Sequence, residues 1–308
     1  MKVFDAHAHI GKDYFYYKIR NNRVFNMPLK KLVKLMKSNG VEKTIVSQCP
    51  SIKEITCCSP TDLIKKGKYI ESTCPKCNRI VSVSKVDPYR KYNLRLIKEI
   101  EKQNLNGKII PFFVIHLQNP FFKEEIDFYL KNYKNFGIKF HTYASKRSVL
   151  DILPYINKLK VPILIHTGPE KFTDPKNVIE FAKQYPGKVL MAHSARLSKK
   201  YLQEINFIEN LFVDITPLTS FYNRIINQDF STILENKESF QKIKSPQDLY
   251  TYLLENVSYQ KLLFGTDIPW CNYFGKGYAE EIKILLKLNV DTDIKEHLAF
   301  KNFEKFLS

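Results

Sequence analysis

An alternation of strand-like apolar runs with helical patterns along the whole chain most restricts the folds open to this sequence. Strands that alternate with helices form parallel sheets, because each parallel strand needs a long crossover connection. Eight such units over about 290 residues favour an α/β fold of the closed (β/α)8 TIM-barrel type. A doubly wound open sheet has the same spacing, although no glycine-rich phosphate loop follows the first strand. The predicted strands cover Lys2–His7, Lys43–Ser47, Lys108–Ile115, Gly137–His141, Pro162–His166, Lys188–His193, Leu211–Ile215 and Lys261–Asp267.

Helices are predicted in the segments between these strands. The first begins near Pro28 and ends before Asn39, where an Asn-Gly pair is a typical helix stop. No linker divides the chain, so we expect one domain over residues 1–308, interrupted by a cysteine-rich insertion at 49–89. Residues 218–258 and 293–307 are predicted to be mixed helical and amphipathic segments. The remaining predicted helices cover Lys91–Gln103, Lys123–Asn135, Ser148–Leu159, Pro175–Tyr185, Ser198–Phe207 and Tyr278–Leu288.

The chain is basic, with 49 lysines and arginines against 31 acidic residues and a net charge of +18. The basic residues are spread along the sequence without a recognisable nucleic-acid-binding motif, so we expect a small-molecule substrate and no nucleic-acid partner. The longest apolar runs have the length of strands and are too short to span a bilayer. With no secretory leader in the sequence, we expect a cytoplasmic protein, and a homo-oligomer stays open.

Metal-competent side chains stand at the ends of several predicted strands. His7 and His9 are two residues apart at the end of the first strand, so both imidazoles share a face. His166 ends the fifth strand, His193 the sixth and Asp267 the eighth. The carboxyl ends of barrel strands form one ring, where active sites lie. Imidazoles with a carboxylate suit Zn²⁺, Mn²⁺ or Fe²⁺, whereas each residue alone is more often a capping or packing group.

These elements together resemble the amidohydrolase superfamily. The similar runs are Asp-Ala-His-Ala-His at 5–9, His-Thr-Gly at 166–168, Ala-His at 192–193 and Gly-Thr-Asp-Ile-Pro at 265–269. The sequence looks closest to the amidohydrolase-related branch, which includes decarboxylases as well as hydrolases. The resemblance covers nearly the whole chain, apart from residues 49–89 and parts of 216–258.

The resemblance implies a metal site and two catalytic residues. It implies that His7, His9, His166 and Asp267 bind one catalytic divalent metal, for which we expect Zn²⁺. A divalent cation can lower the pKa of bound water from about 16 to about 7. Asp267 would take the proton of this water and pass it to the leaving group. His193 would lie beside the water and orient it or polarise the substrate oxygen.

Lys139 and His141 share a face of the fourth predicted strand and are candidate substrate-binding residues. In binuclear members of the superfamily this strand can supply a carboxylated lysine that bridges two metals. The Gly-Ile-Lys run looks more like the mononuclear branch, so we interpret Lys139 as facing the substrate or as a buried ion-paired group. His141 is either a substrate contact or a hydrogen-bonded rim histidine.

Four residues near other strand ends are further candidates. Arg196 has the chemistry to clamp a substrate carboxylate or phosphate, although a solvated residue at a helix start is the commoner interpretation. Trp270 and Tyr273 follow Asp267 and are predicted to wall the substrate pocket. Asp214 ends the seventh strand and is predicted to support a metal ligand from behind.

The cysteine-rich insertion contains a possible structural zinc site. Cys74-Pro-Lys-Cys77 looks like a zinc knuckle, and Cys57 with Cys58 would complete four thiolates. Adjacent cysteines are awkward joint ligands, so Cys49 is an alternative to one of them. Free or redox-active thiols are another interpretation, because CxxC is also a redox motif. The insertion follows the second strand, so we expect a metal-fixed lid over or beside the pocket mouth.

The leading functional hypothesis is metal-dependent hydrolysis of a C–N, ester or lactone carbonyl in a small substrate, and an anionic substrate stays open. Non-oxidative decarboxylation of a small carboxylic acid uses the same ligands and is the alternative. A second alternative is a non-catalytic binding protein on the same barrel, although the complete ligand set argues against it.

Overall fold

The computed structural model describes residues 1–19 and 25–308, which form a mixed α/β fold. The strands are β1 (Val3–Lys12), β2 (Asn26–Met27), β3 (Val41–Gln48), β4 (Asp62–Lys66), β5 (Tyr69–Thr73), β6 (Ile80–Ser84), β7 (Ile109–Val114), β8 (Gly137–Phe140), β9 (Ile163–Ile165), β10 (Val189–Met191), β11 (Leu211–Ile215) and β12 (Leu262–Phe264). The helices are α1 (Tyr14–Ile19), α2 (Leu29–Ser38), α3 (Arg90–Lys102), α4 (Phe122–Asn132), α5 (Thr142–Ser145), α6 (Leu153–Ile156), α7 (Pro175–Gln184), α8 (Lys199–Ile205), α9 (Leu218–Ile226), α10 (Pro246–Asn256), α11 (Trp270–Phe274), α12 (Tyr278–Leu286), α13 (Thr292–Glu296) and α14 (Asn302–Leu307).

The main sheet has nine strands in the order β12-β11-β10-β9-β8-β7-β3-β1-β2. All its pairings are parallel except the short antiparallel pair of β1 with β2. The sheet curls until the residues after β12 reach β1. There the His9 amide donates to the Ile268 carbonyl at 2.8 Å, and the Asp267 amide donates to the His7 carbonyl at 2.7 Å. The predicted parallel α/β fold is confirmed in this curled, barrel-like form.

Side chains from opposite faces of the curled sheet form two apolar layers. Strands buried on both faces read as continuous apolar runs, which is the pattern of this sequence. Residues such as Leu164 and Leu190 belong to an inner cluster, while their neighbours belong to a larger cluster between sheet and helices. Phe303 and Phe306 of α14 pack on the inner cluster. The predicted amphipathic segment at 293–307 therefore closes the inner layer.

Residues 49–89 contain a small antiparallel sheet that the sequence analysis did not predict. Its strand order is β4-β5-β6, and its apolar side packs on Tyr89 and Val114. The helix predicted at Ser148–Leu159 is also different, because a 3-10 turn at Val149–Ile152 leads into the single turn of α6. In the described ranges, every helix is too short or too polar to cross a lipid bilayer.

Glu281 gives the fold a testable pH dependence. It lies buried in α12 and accepts hydrogen bonds from the backbone and hydroxyl of Thr219 in α9. Burial raises the pKa of Glu281 from 4.5 to about 8. The folded state therefore keeps a proton that the unfolded chain releases, so this contribution to stability is lost as pH rises from about 4.5 through about 8.

We expect Glu281→Gln to remove this dependence, because the amide still accepts from Thr219 but does not ionise. Relative to this variant, the wild type should lose up to about 1.4 kcal/mol of unfolding free energy per pH unit within that window. Urea unfolding between pH 5 and 8 measures the difference. Glu280→Gln, at the neighbouring and partly exposed position, is the matched control. Parallel wild-type and Glu281→Gln profiles would contradict the assignment.

Candidate metal centre and its cavity

A β-bulge in β1 turns His7 and His9 toward the carboxyl end of the curled sheet. Asp5 pairs with Thr44 of β3 but Ala8 pairs with Val46, so β1 has one extra residue between these points. Such a bulge re-aims the side chains that follow it. Ala6 accordingly belongs to the inner apolar cluster, while the Nε2 atoms of His7 and His9 lie 2.9 Å apart.

Asp267 completes a compact group with these two histidines. Its Oδ1 lies 3.3 Å from His9 Nε2 and 3.7 Å from His7 Nε2, and all three side chains are buried. Ligands bonded to Zn²⁺ at about 2.0–2.2 Å stand roughly 3–3.6 Å apart. The ligand atoms of His7, His9 and Asp267 therefore surround a volume of the size that a single cation needs.

His166 and His193 form a second pair beside this group. His193 Nε2 lies 2.9 Å from His166 Nδ1, and His193 Nδ1 lies 3.9 Å from Asp267 Oδ2. The structure thus connects His166 to the other three predicted ligands through His193. His166 lines the same cavity as His9 and Asp267.

The buried carboxylate of Asp214 positions His7 and His193. Its Oδ2 lies 2.8 Å from His7 Nδ1, while its Oδ1 accepts from the His193 amide and the Thr216 hydroxyl, both at 2.7 Å. A carboxylate on Nδ1 fixes the tautomer in which Nε2 is free to bind a metal. The geometry agrees with the supporting position predicted for Asp214.

Asp5 is a positioning residue that the sequence analysis missed. Its carboxylate accepts hydrogen bonds from the His7 amide at 3.1 Å and from the Thr266 amide at 3.0 Å. A further bond comes from the Thr266 hydroxyl at 2.7 Å. Asp5 therefore links the bulge of β1 to the segment that carries Asp267. The only signal in the sequence was its position directly before the His-Ala-His run.

Lys139 lies at the centre of the cluster and not in the cavity wall. It is fully buried, and its Nζ lies 3.0 Å from His7 Nε2. Burial lowers the pKa of Lys139 to about 8, while the carboxylates of Asp214 and Asp267 act in the opposite direction. Of the two interpretations of Lys139, this position matches the buried one and not the substrate-facing one, with His7 as its partner in place of the expected ion pair.

Burial also determines the protonation of the other groups. It lowers the pKa values of His7, His9, His166 and His193 well below 6.5. These imidazoles are therefore neutral, which is the form that binds metal ions. Burial raises the pKa of the Asp267 carboxyl to about 7.

A cavity of about 260 Å³ opens beside this cluster. Its lining brings together seven of the residues predicted to form the site, namely His9, His141, His166, His193, Arg196, Asp267 and Trp270. His141 Nε2 donates to the Gln48 carbonyl at 3.0 Å. A larger groove of about 650 Å³ elsewhere, beside Phe303, has no histidine in its lining. The smaller cavity is the one that adjoins the cluster of histidines and Asp267.

The aromatic wall of the cavity differs in part from the prediction. Trp270 lies edge-on to His9 with the ring centroids 4.8 Å apart. Tyr273 is not among the lining residues and packs on Phe25 at 4.8 Å, because α11 turns it away from the cavity. Phe274 takes its place in the wall.

Arg196 reaches the cavity from an unusual backbone segment. All five residues of His193–Leu197 have positive φ angles, between 48° and 65°, although none is glycine. Left-handed backbone costs about 1–2 kcal/mol per non-glycine residue. Hydrogen bonds of His193 and Ser194 to Asp214 hold this segment, and Arg196 Nε donates to the Thr167 carbonyl at 2.7 Å. Arg196 is therefore a half-buried part of the cavity and not a solvated helix-start residue.

The insertion lies beside the cavity. Pro50 and Ser51 at its start belong to the lining, whereas none of residues 52–89 does. Of the two positions expected for the insertion, over or beside the pocket mouth, the small sheet β4–β6 matches the second. Cys57, Cys58, Cys74 and Cys77 do come together, and their ligand atoms lie within 4.8 Å of one another. Cys49 is buried elsewhere, where its thiol contacts the Gly11 carbonyl.

A curled parallel α/β sheet with histidines and carboxylates at its carboxyl rim is an arrangement found in metal-dependent barrel enzymes. The amidohydrolase family model, Amidohydro_2, matches residues 86–307. The chain therefore belongs to the amidohydrolase family and is an enzyme of that superfamily. No curated protein matches the sequence.

Solved structures share the fold at low sequence identity. An amidohydrolase from Burkholderia multivorans with bound zinc has a TM-score of 0.65 and 12% identity, covering 100% of this chain and 99% of its own. The 5-carboxyvanillate decarboxylase of Sphingomonas paucimobilis has a TM-score of 0.61 and 10% identity, with coverages of 99% and 98%. A probable 2-pyrone-4,6-dicarboxylic acid hydrolase from Acinetobacter baumannii, with citric acid bound, has a TM-score of 0.58 and 12% identity, with coverages of 100% and 99%.

Gly265 tests how tightly the site is packed. A Cβ atom at this position would lie 2.4 Å from Thr216 Cγ2 and 3.1 Å from His7 Cβ. We expect Gly265→Ala to lower the unfolding free energy by about 1–3 kcal/mol, because neither neighbour has room to move. Denaturant unfolding measures the loss. Thr216→Ser removes the clashing methyl group, so the Gly265→Ala/Thr216→Ser double variant should regain part of the lost unfolding free energy. If the changes in unfolding free energy of the two single variants simply add in the double variant, this account is contradicted.

Proposed function

We propose that the protein is a metal-dependent hydrolase acting on small, carboxylate-bearing substrates. The observation that carries the proposal is the convergence of His7, His9 and Asp267 beside a cavity of about 260 Å³. Two neutral imidazoles and a carboxylate suit Zn²⁺, and also Mn²⁺ or Fe²⁺. We propose Zn²⁺, with His166 as the fourth ligand, because His166 follows the end of β9 and lines the same cavity as His9 and Asp267.

The proposal includes the finer description of the fold. We infer a closed (β/α)8 barrel that spans residues 1–308 as one domain, with 49–89 as an insertion. The parallel bridge of Ala8 with Ile268 supports closure between β1 and the end of β12. An experimental structure with those two segments out of hydrogen-bonding range would overturn it.

The residues around the cluster have distinct roles in this proposal. A divalent cation supplies a Lewis acid and makes water acidic enough to react near neutral pH. Asp267 accepts the proton of the attacking water and returns it to the leaving group. His193 orients the water or donates a hydrogen bond to the developing negative charge on the substrate oxygen. Trp270 and Phe274 limit the access of bulk water.

Two arginines favour an anionic substrate. Arg196 and Arg224 both line the cavity, and both are only partly exposed. An arginine in such a position binds a carboxylate more strongly than a solvated one, because fewer waters compete. The named substrates of two similar structures are carboxylates as well, 5-carboxyvanillate and 2-pyrone-4,6-dicarboxylic acid. We therefore propose that Arg196 binds a substrate carboxylate, with His141 as a further substrate contact.

Decarboxylation of such an acid is the second candidate, and Arg196 is the observation that favours it. The same arginine could hold the carboxylate that leaves, and two of the similar structures are decarboxylases. The family assignment, in contrast, disfavours a non-catalytic binding protein.

The metal site is tested by removing its ligands. We expect His7→Ala and Asp267→Asn each to lower kcat/KM at least about 100-fold and to reduce the bound metal by one equivalent per chain. Elemental analysis of the purified variants measures the metal. His297→Asn is the matched control, because this histidine contacts Asn302 away from the cavity. Full metal content in both ligand variants would refute the site.

The reaction is tested with a panel of aromatic acids, lactones and amides that carry a carboxylate. Hydrolysis without CO₂ release is expected, and release of CO₂ from an acid would favour the second candidate. We expect Arg196→Lys to raise KM about 10- to 100-fold for carboxylated substrates, because lysine lacks the planar pair of donors. Uncharged analogues serve as the control. An equal effect of Arg196→Lys on both substrate sets would exclude the assigned carboxylate contact.

A further inference from the structure

We propose that Cys57, Cys58, Cys74 and Cys77 bind a structural Zn²⁺ that is separate from the candidate metal centre. The four cysteines lie in two loops of the insertion. Cys57 and Cys58 precede β4, and the other two form the connection between β5 and β6. All four are free cysteines.

The spacing of the sulfur atoms fits one tetrahedral ion. Cys57 Sγ lies 3.6 Å from Cys77 Sγ, and Cys58 Sγ lies 3.5 Å from Cys74 Sγ. All four sulfurs lie within 4.8 Å of one another. Thiolates bonded to Zn²⁺ at about 2.3 Å in a tetrahedron stand about 3.8 Å apart. A disulfide needs about 2.05 Å, so the observed distances suit a metal cluster better than two disulfides.

The pairing of the sulfurs also separates this cluster from a redox motif. In a redox CxxC motif the two sulfurs of the motif are partners. Here each sulfur of Cys74 and Cys77 has a close neighbour in the other loop. Contacts between two loops form a four-ligand site, and adjacent Cys57 and Cys58 each contribute to a different pair. This arrangement removes the difficulty of adjacent cysteines as joint ligands.

The turn at Cys74–Cys77 is shaped as a metal knuckle. The Asn78 amide donates to the Cys74 carbonyl at 2.8 Å, and the Cys74 amide donates to the Arg79 carbonyl at 2.9 Å. Asn78 adopts a φ of +56°, which asparagine tolerates better than most residues. The hydrogen-bond donors beside the Cys74 sulfur include the Ser59 hydroxyl, at 3.4 Å. These donors stabilise the negative charge that a thiolate ligand carries.

The small sheet needs such a cross-link. Its strands bury Leu63 and Ile70 in a small cluster but leave four apolar side chains between 37% and 59% exposed, namely Ile64, Tyr69, Ile80 and Val83. A core of this size contributes little stability, and a structural metal is a common remedy in small folds. The proposed ion joins the hairpin of β5 and β6 to the loop before β4. Its role is therefore to hold the insertion together beside the cavity.

Metal stoichiometry and ligand type test the proposal. The His7→Ala/His9→Ala double variant removes two proposed ligands of the catalytic centre and should still contain one zinc per chain. X-ray absorption at the zinc edge of this variant should show sulfur neighbours at about 2.3 Å. Cys74→Ser should lose that zinc, whereas Cys271→Ala, a buried cysteine outside the cluster, should keep it. The result is independent of catalytic activity, so it stands apart from the test of the hydrolase proposal.

A titration of the wild-type protein covers the case in which Cys74→Ser does not fold. Mercurial reagents should release one zinc as four thiols react. Three outcomes would overturn the proposal: no residual metal in the double histidine variant, nitrogen and oxygen neighbours around its zinc, or disulfide-bonded cysteines under non-reducing conditions. Iron bound by the same four sulfurs would overturn the assignment of zinc.

Discussion

The buried carboxylate of Asp214 is the interaction on which the candidate site depends. It fixes the His7 ring through Nδ1 and anchors the amide of His193 at the same time. Without it, the left-handed segment His193–Leu197 would lose the hydrogen bond of the His193 amide that helps to offset its backbone strain, and only the bond of the Ser194 hydroxyl to the Asp214 backbone carbonyl would remain. Because that segment also carries Arg196 into the cavity, one carboxylate links a proposed metal ligand, a proposed catalytic histidine and a proposed substrate contact.

The charges buried around Asp214 explain why a cation would be stable there. Asp5, Asp214, Asp267 and Lys139 together leave two excess negative charges when all four are ionised, and an uncompensated buried charge is costly. A divalent cation would balance these two negative charges. The Lys139 contact with His7 Nε2 and a metal bond to the same nitrogen exclude each other, because a neutral imidazole nitrogen has one lone pair. A metal bound to His7 would therefore displace the Lys139 contact, and the carboxylates of Asp214 and Asp267 would remain to balance the lysine charge.

Much of this site could be predicted from the sequence, because the direction of parallel strands already brings their carboxyl ends to one rim. The positions of His9, His193 and Asp267 at this rim follow once the strands are assigned correctly. The bulge in β1 was not predictable, since nothing in Asp-Ala-His-Ala-His marks an extra residue. The left-handed turn after His193 contains no glycine that would have indicated it. Both features arise from the tertiary hydrogen bonds of Asp5 and Asp214, which local patterns do not contain.

The insertion was harder to predict for a different physical reason. Strands β4–β6 are short, exposed and rich in polar residues, so the alternation of burial that marks a strand is weak. The cysteine spacing was the only strong pattern in the insertion. It predicted metal ligands and gave no information on secondary structure. The donor sets then separate the two proposed sites. Four thiolates form a closed, soft site that suits a structural ion, whereas imidazoles and a carboxylate beside an open cavity leave room for water and substrate. The two proposed ions would therefore have separate roles: one holds the insertion together, and the other takes part in the reaction.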